Sequence, residues 1–153
     1  TVEGLIDVIK LCVRNAEQLT GAKADISWGE ISAERYPNRP MCQAFKDNME
    51  TLGIEMKWPD PKAQYGSSDI GNVSIKIPAI HDYLSITDDK TIQAHTKEYA
   101  DAAKSAEAQE ICLKGAKGLA MTGYDILSSD EFQAEIRRFH EQQIPDFYKE
   151  KKS

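Results

Sequence analysis

Apolar residues recur at spacings of three and four from Val2 to Leu19, where Leu5, Ile9, Cys12, Ala16 and Leu19 share one face. That spacing predicts an amphipathic helix. Thr1 can cap it and Thr20-Gly21 can end it. The period then changes to two: Ala24, Ile26 and Trp28 alternate with Lys23, Asp25 and Ser27, the pattern of a half-buried strand. Asn38-Arg-Pro40 opens a second helix with proline in its first turn. Met41, Ala44, Phe45, Met49 and Leu52 form its apolar face, and Gly53 follows its end. Ile54, Met56 and Trp58 alternate briefly before Pro59 and Pro61. Ala79 to Ile86 reads as a further strand, with Ile80, Leu84 and Ile86 on one side and His81, Tyr83 and Ser85 on the other.

The last third is helical in pattern. Thr96 caps a short helix and Ser105 a long one that runs to about Leu127. Ser128-x-x-Glu131 reads as a capping box for a last helix, which Pro145 ends. The expected inward face of the long helix is Ala108, Cys112, Gly115, Ala116, Leu119, Gly123 and Ile126. A helical glycine costs roughly 1 kcal/mol relative to alanine, so Gly115, Gly118 and Gly123 predict close approach to a neighbour. Helices interleaved with strands give an α/β (α+β) fold as the expectation.

Composition narrows the function. The 153 residues carry a net charge of −6, which disfavours nucleic acid and anionic membranes as partners. The one basic run, Lys149 to Lys152, reads as a solvated tail, and no apolar run reaches membrane-spanning length. Cys12, Cys42 and Cys112 form no Cys-x-x-Cys pair and each sits in an apolar helical pattern. They read as buried small hydrophobes in a reducing, cytoplasmic setting. The chain starts on Thr1, so a targeting segment or more is expected upstream.

Candidate chemistry is sparse. The stretch Tyr65-Gly-Ser-Ser-Asp-Ile-Gly-Asn-Val-Ser74 gathers small polar residues between ordered elements. By composition it is most simply a loop with a helix N-cap at Ser68 or Asp69. His140 reads as a surface residue, and His81 as structural or lining a cleft. His95 precedes a helix cap in a strand-to-helix loop, where an imidazole can serve a metal or simply decorate the loop. No His-Glu-x-x-His, His-x-Asp, Gly-x-Ser-x-Gly or adjacent glutamate pair is present.

Gly66-Ser-Ser-Asp-Ile-Gly-Asn-Val-Ser74, Ile77-Pro-Ala-Ile-His81 and Ala94-His-Thr-Lys-Glu-Tyr99 come in an order and spacing that carries further meaning. With Ala106-Glu-Ala-Gln-Glu110 and Gly115-Ala-Lys-Gly-Leu-Ala-Met-Thr122, they resemble the C-terminal part of dinuclear-metal amidohydrolases of peptidase family M-twenty. The p-aminobenzoyl-glutamate hydrolase and aminoacylase-like branch is the one they look most like. The resemblance implies that residues 1–37 end a small α+β lid domain that mediates dimerisation, and that 38–153 end a catalytic α/β domain. It implies His95 as a metal ligand, and Ser68, Asp69, Gly71 and Asn72 as the loop beside the substrate.

The family's other ligands and its general-base glutamate precede the lid and do not occur here. The resemblance therefore implies a C-terminal portion of an amidohydrolase, inactive and metal-free alone. Its parent would use two divalent ions, expected to be zinc, to cleave an amide beside a carboxylate in an N-acyl amino acid, dipeptide or aminobenzoyl-glutamate. Homo-oligomerisation, or a large exposed apolar patch, is expected from uncovered edges. The competing expectation is a non-catalytic α/β protein-interaction module.

Overall fold

The computed structural model describes residues 2–60 and 66–149. Thr1 as a cap, the turn residue Pro61, Tyr65 at the head of the Gly/Ser stretch and the basic run beyond Lys149 lie outside them. The chain divides into two compact units, Thr1–Ile31 and Ser32–Ser153.

The first unit is built on α1 (Val2–Thr20). Gly21, at φ +70°, turns the chain out of the helix, and its N–H still reaches the Glu17 carbonyl at 2.9 Å. The Glu17 carboxylate then accepts from the Ala24 N–H at 2.8 Å, tethering the start of the next segment. The expected apolar stripe is present on α1, but Leu5, Ile9 and Leu19 are exposed.

The second unit holds α2 (Arg39–Thr51), α3 (Ile70–Ser74), α4 (Lys97–Ala102), α5 (Ala106–Ser128), α6 (Asp130–Gln143) and α7 (Asp146–Lys149). Its core is a three-helix cluster of α2, α5 and α6, centred on Phe45, Met49, Ala108 and Ile136, with Ile144 just beyond α6. Asn38 caps α2 by accepting from the Met41 N–H at 3.3 Å. It is fully buried, and its Nδ2 donates to the Ile136 carbonyl at 2.9 Å while its N–H donates to the Ala79 carbonyl at 2.8 Å. One side chain thus starts a helix and ties it to α6, and the same residue's backbone holds the 79–86 segment.

The α/β expectation is overturned: the structure is all-helical, with no strand among the described residues. Residues 24–28, 54–58 and 79–86 were the expected strands, and none pairs into a ladder. The period of two does survive in the last of these. Ile80, Asp82, Leu84 and Ile86 are half-buried, while His81, Tyr83 and Ser85 are exposed. Alternation sets which side chains turn inward; a strand further needs a neighbour to take its N–H and C=O groups. In this chain the inward side chains pack on helices instead.

Caps fall close to expectation. Thr96 and Ser105 accept from Tyr99 and Ala108 N–H groups at 3.2 and 3.1 Å. The last cap is Ser129, which accepts from Phe132 at 3.1 Å, one residue beyond the expected Ser128. On α5 the buried stripe is Ala108, Gly115, Gly118 and Thr122, and Cys112, Ala116 and Leu119 are exposed. Apolar residues cover more than half the circumference of α5, so periodicity alone could not say which part faces α2. The two buried glycines are where the helix is approached most closely. A Cβ at Gly118 would lie 2.4 Å from the Met49 sulfur, and one at Gly115 would lie 2.8 Å from Leu84 Cδ1. Gly123 has open space around it.

Candidate functional site

The Gly/Ser-rich stretch becomes the short helix α3 and fastens the segment 33–36. The Asn72 side-chain oxygen accepts from the Ala33 N–H at 2.6 Å. Ser74 Oγ accepts from the Tyr36 N–H at 3.0 Å and donates to the Gly71 carbonyl at 2.8 Å. Gly71 is buried so tightly that a Cβ there would lie 2.0 Å from the Ala33 carbonyl oxygen. On its far side α3 is held by α6, because His140 Nε2 lies 2.8 Å from the Ser74 carbonyl oxygen and donates to it. His140 is therefore half-buried and structural rather than the surface residue its helix suggested.

Of the residues expected beside the substrate, Gly71 and Asn72 face this 33–36 segment. Ser68 Oγ accepts from the Ile70 N–H at 3.3 Å, and Asp69 precedes α3 without a side-chain cap. His95 is exposed in a turn with φ 67°. A non-glycine residue pays for that left-handed conformation with roughly 1–2 kcal/mol. Among the described residues no three His, Cys, Asp or Glu side chains gather into a metal-binding group. Zinc sites need three or more protein ligands, and His95 has no such company among the described residues. Cys12 and Cys112 are exposed, contrary to expectation, and Cys42 is buried.

Beside α3 lies a cavity of about 370 Å³. Ile70 and Ser74 of the Gly/Ser stretch, Arg35, Cys42, Trp58 and the 79–83 segment contribute to its walls. At its surface, Arg35 Nη1 donates to the Tyr83 hydroxyl at 2.9 Å and lies 3.5 Å from His81 Nδ1. The His81 and Tyr83 rings stack with centroids 4.9 Å apart. Arg39 lies over the Trp58 ring at 4.8 Å, a cation–π contact that fixes another part of the wall.

Asp82, between His81 and Tyr83, turns the opposite way. Its Oδ2 is buried with no hydrogen-bond partner among the described residues. Burial pushes its carboxyl above the ordinary value of 3.8, with His81 and the Cys42 thiol acting in the opposite direction. Burial, and next the Asp82 charge, push the Cys42 thiol up to about 12, so it stays a thiol. The sequence points to His81 in this segment, whereas the structure turns Asp82 inward. The signal was there: an aspartate on the inward parity of an alternating run, in register with Ile80 and Leu84.

The raised Asp82 carboxyl has a consequence for stability. Well below 3.8 the group is protonated in folded and unfolded chains alike and contributes nothing. As pH rises past that value the unfolded chain ionises first, so stability falls until the folded carboxyl has ionised too. Asp82→Asn is expected to raise the urea midpoint at pH 7, with the gain shrinking towards zero in acid. A gain that is equal at both pH values would show that the buried charge is not its source.

No family model matches the chain. It is 37% identical over 133 residues to the Xaa-Arg dipeptidase of Mus musculus, covering 83% of this chain and 30% of the mouse protein. It is also 37% identical over 129 residues to the Xaa-Arg dipeptidase of Homo sapiens, covering 82% of this chain and 29% of the human one. No helix among the described residues is long and apolar enough to cross a membrane. The chain is thus related in sequence to these peptidases along most of its own length, and it spans about 30% of theirs.

Proposed function

We propose that this chain is the C-terminal portion of a metal-dependent amidohydrolase that cleaves dipeptides with arginine at the carboxyl end. The observation that carries the reading is the 37% identity to Xaa-Arg dipeptidases across 133 residues. Residues 1–37 would finish a lid domain and residues 38–153 a catalytic domain, in a cytoplasmic homo-oligomer that takes a small amide substrate. Gly71 and Asn72 then serve the substrate loop by holding its shape through Ala33, while half-buried Ser68 and exposed Asp69 precede them.

His95 is the proposed contribution to a site for two divalent ions, zinc being the expected metal, whose remaining donors come from outside this chain. Its φ of 67° supports that role, because strained backbone is retained where function requires it. His95 is exposed, so its replacement is expected to leave the fold intact. In the protein translated from the complete reading frame, His95→Ala is expected to lower bound metal by about one ion per chain. Dipeptide hydrolysis is expected to fall by about 100-fold or more, a loss at or beyond that of a metal site's outer-shell partners. Unchanged metal content, measured by elemental mass spectrometry, would remove His95 from the site.

A further inference from the structure

Asp82 is the single acidic side chain among the described residues lining the 370 Å³ cavity, set against Arg35, Lys46 and Lys57. Its buried Oδ2 has no hydrogen-bond partner among the described residues, while the Cys42 thiol is hydrogen-bonded to the same carboxylate. Arg35 is already directed to Tyr83, and Lys46 is paired with Glu50 on the same helix. The cavity therefore presents one buried acceptor within a cationic surround. A purely cationic ligand would satisfy Asp82 and be repelled by the rest. A purely anionic one would leave Asp82 unanswered. The ligand that suits both carries a cation at one end and a carboxylate at the other, with an apolar stem between. Met56, Ile70 and Ile80 supply the matching apolar wall.

The geometry points to this cavity as the pocket for an arginine residue with a free carboxylate, its guanidinium on Asp82 and its carboxylate towards Arg35 and Lys57. This rests on the reading of the chain as part of an arginine-directed dipeptidase, and it assigns the part of the site that recognises arginine. A guanidinium is a planar fork of N–H donors that fits a carboxylate, and it would supply the donor that Oδ2 lacks. The volume lies within the range of pockets that enclose small molecules. The same chemistry is shared by the carboxyl-terminal arginine of a dipeptide and by free arginine released from it.

Calorimetric titration of the protein with L-arginine, L-citrulline, agmatine and glycyl-arginine tests the assignment. Citrulline keeps the shape and loses the charge, whereas agmatine keeps the guanidinium and loses the carboxylate. Arginine is expected to bind about tenfold or more tightly than either. Asp82→Asn is expected to bring arginine down to the citrulline level and leave citrulline within about twofold, with circular dichroism showing an intact fold. Glycyl-arginine binding as tightly as arginine places the dipeptide itself in the pocket, and binding only of free arginine makes it a product site; either supports the assignment. Equal binding of arginine and citrulline, no measurable heat from any of the four, or arginine selectivity that survives Asp82→Asn would overturn it. Hydrolysis of arginine-terminated dipeptides by the complete protein is read separately. Failure of this pocket with hydrolysis intact removes only the pocket, and binding without hydrolysis removes only the proposed activity.

Discussion

Gly71→Ala is expected to destabilise the Ser32–Ser153 unit by about 3 kcal/mol or more, at the upper end of what overpacking costs. The added Cβ would lie 2.0 Å from the Ala33 carbonyl oxygen and 2.8 Å from its carbon. Both are backbone atoms, so no rotamer change can make room. The segment cannot simply retreat, because Ala33 is bonded to Asn72 and Tyr36 to Ser74 from the same short helix. Relief requires that α3 and the 33–36 segment part, which gives up both bonds and opens a wall of the cavity. Domains of this kind are stable by only about 5–15 kcal/mol, so a loss of this size is a large share of the total. Urea denaturation of the two proteins measures it. A shift worth less than about 1 kcal/mol would mean that α3 is not held against Ala33 as described.

The second large effect lies in the helical core. Met49 is fully buried on α2, and Met49→Ala is expected to cost about 2–5 kcal/mol through lost transfer energy and the cavity left behind. Its sulfur sits where a side chain at position 118 would go, with Phe45 Cε2 as the next neighbour at 3.1 Å. Gly118→Ala in the native background therefore forces Met49 aside and is expected to destabilise by about 1–2 kcal/mol, despite alanine's better helix propensity. With Met49 already truncated, the same substitution fills part of the void and keeps the propensity gain of roughly 1 kcal/mol. Gly118→Ala should thus change sign between the two backgrounds, a coupling of about 2 kcal/mol in a double-mutant cycle. Additive effects would show that α2 and α5 do not meet at this pair.

The local signals were legible and the long-range ones were not. Asn38, Thr96 and Ser105 could be read as caps because each satisfies a donor within three residues. The Ala79–Ile86 alternation gave the correct inward and outward rows. Whether such a row joins a sheet depends on a partner elsewhere in space, and that is where the α/β expectation failed. The Gly/Ser stretch was singled out, but its work against Ala33 and Tyr36 is done across 38 and 39 residues of sequence. No spacing rule reaches that far. His140 was misjudged for the same reason, since its partner Ser74 is 66 residues away. The face of α5 was ambiguous because its apolar residues run well beyond the stripe that α2 covers. Leu113, Leu119 and Leu127 remain exposed there.

The most direct measurement is hydrolysis of a matched dipeptide panel by the protein translated from the complete reading frame, supplied with divalent metal. The panel would hold one amino-terminal residue constant and place arginine, citrulline, leucine or glutamate at the carboxyl end. Cleavage of the arginine dipeptide is expected, with kcat/KM about tenfold or more above that for citrulline. Absence of hydrolysis with every dipeptide, under conditions where metal is bound, would contradict it.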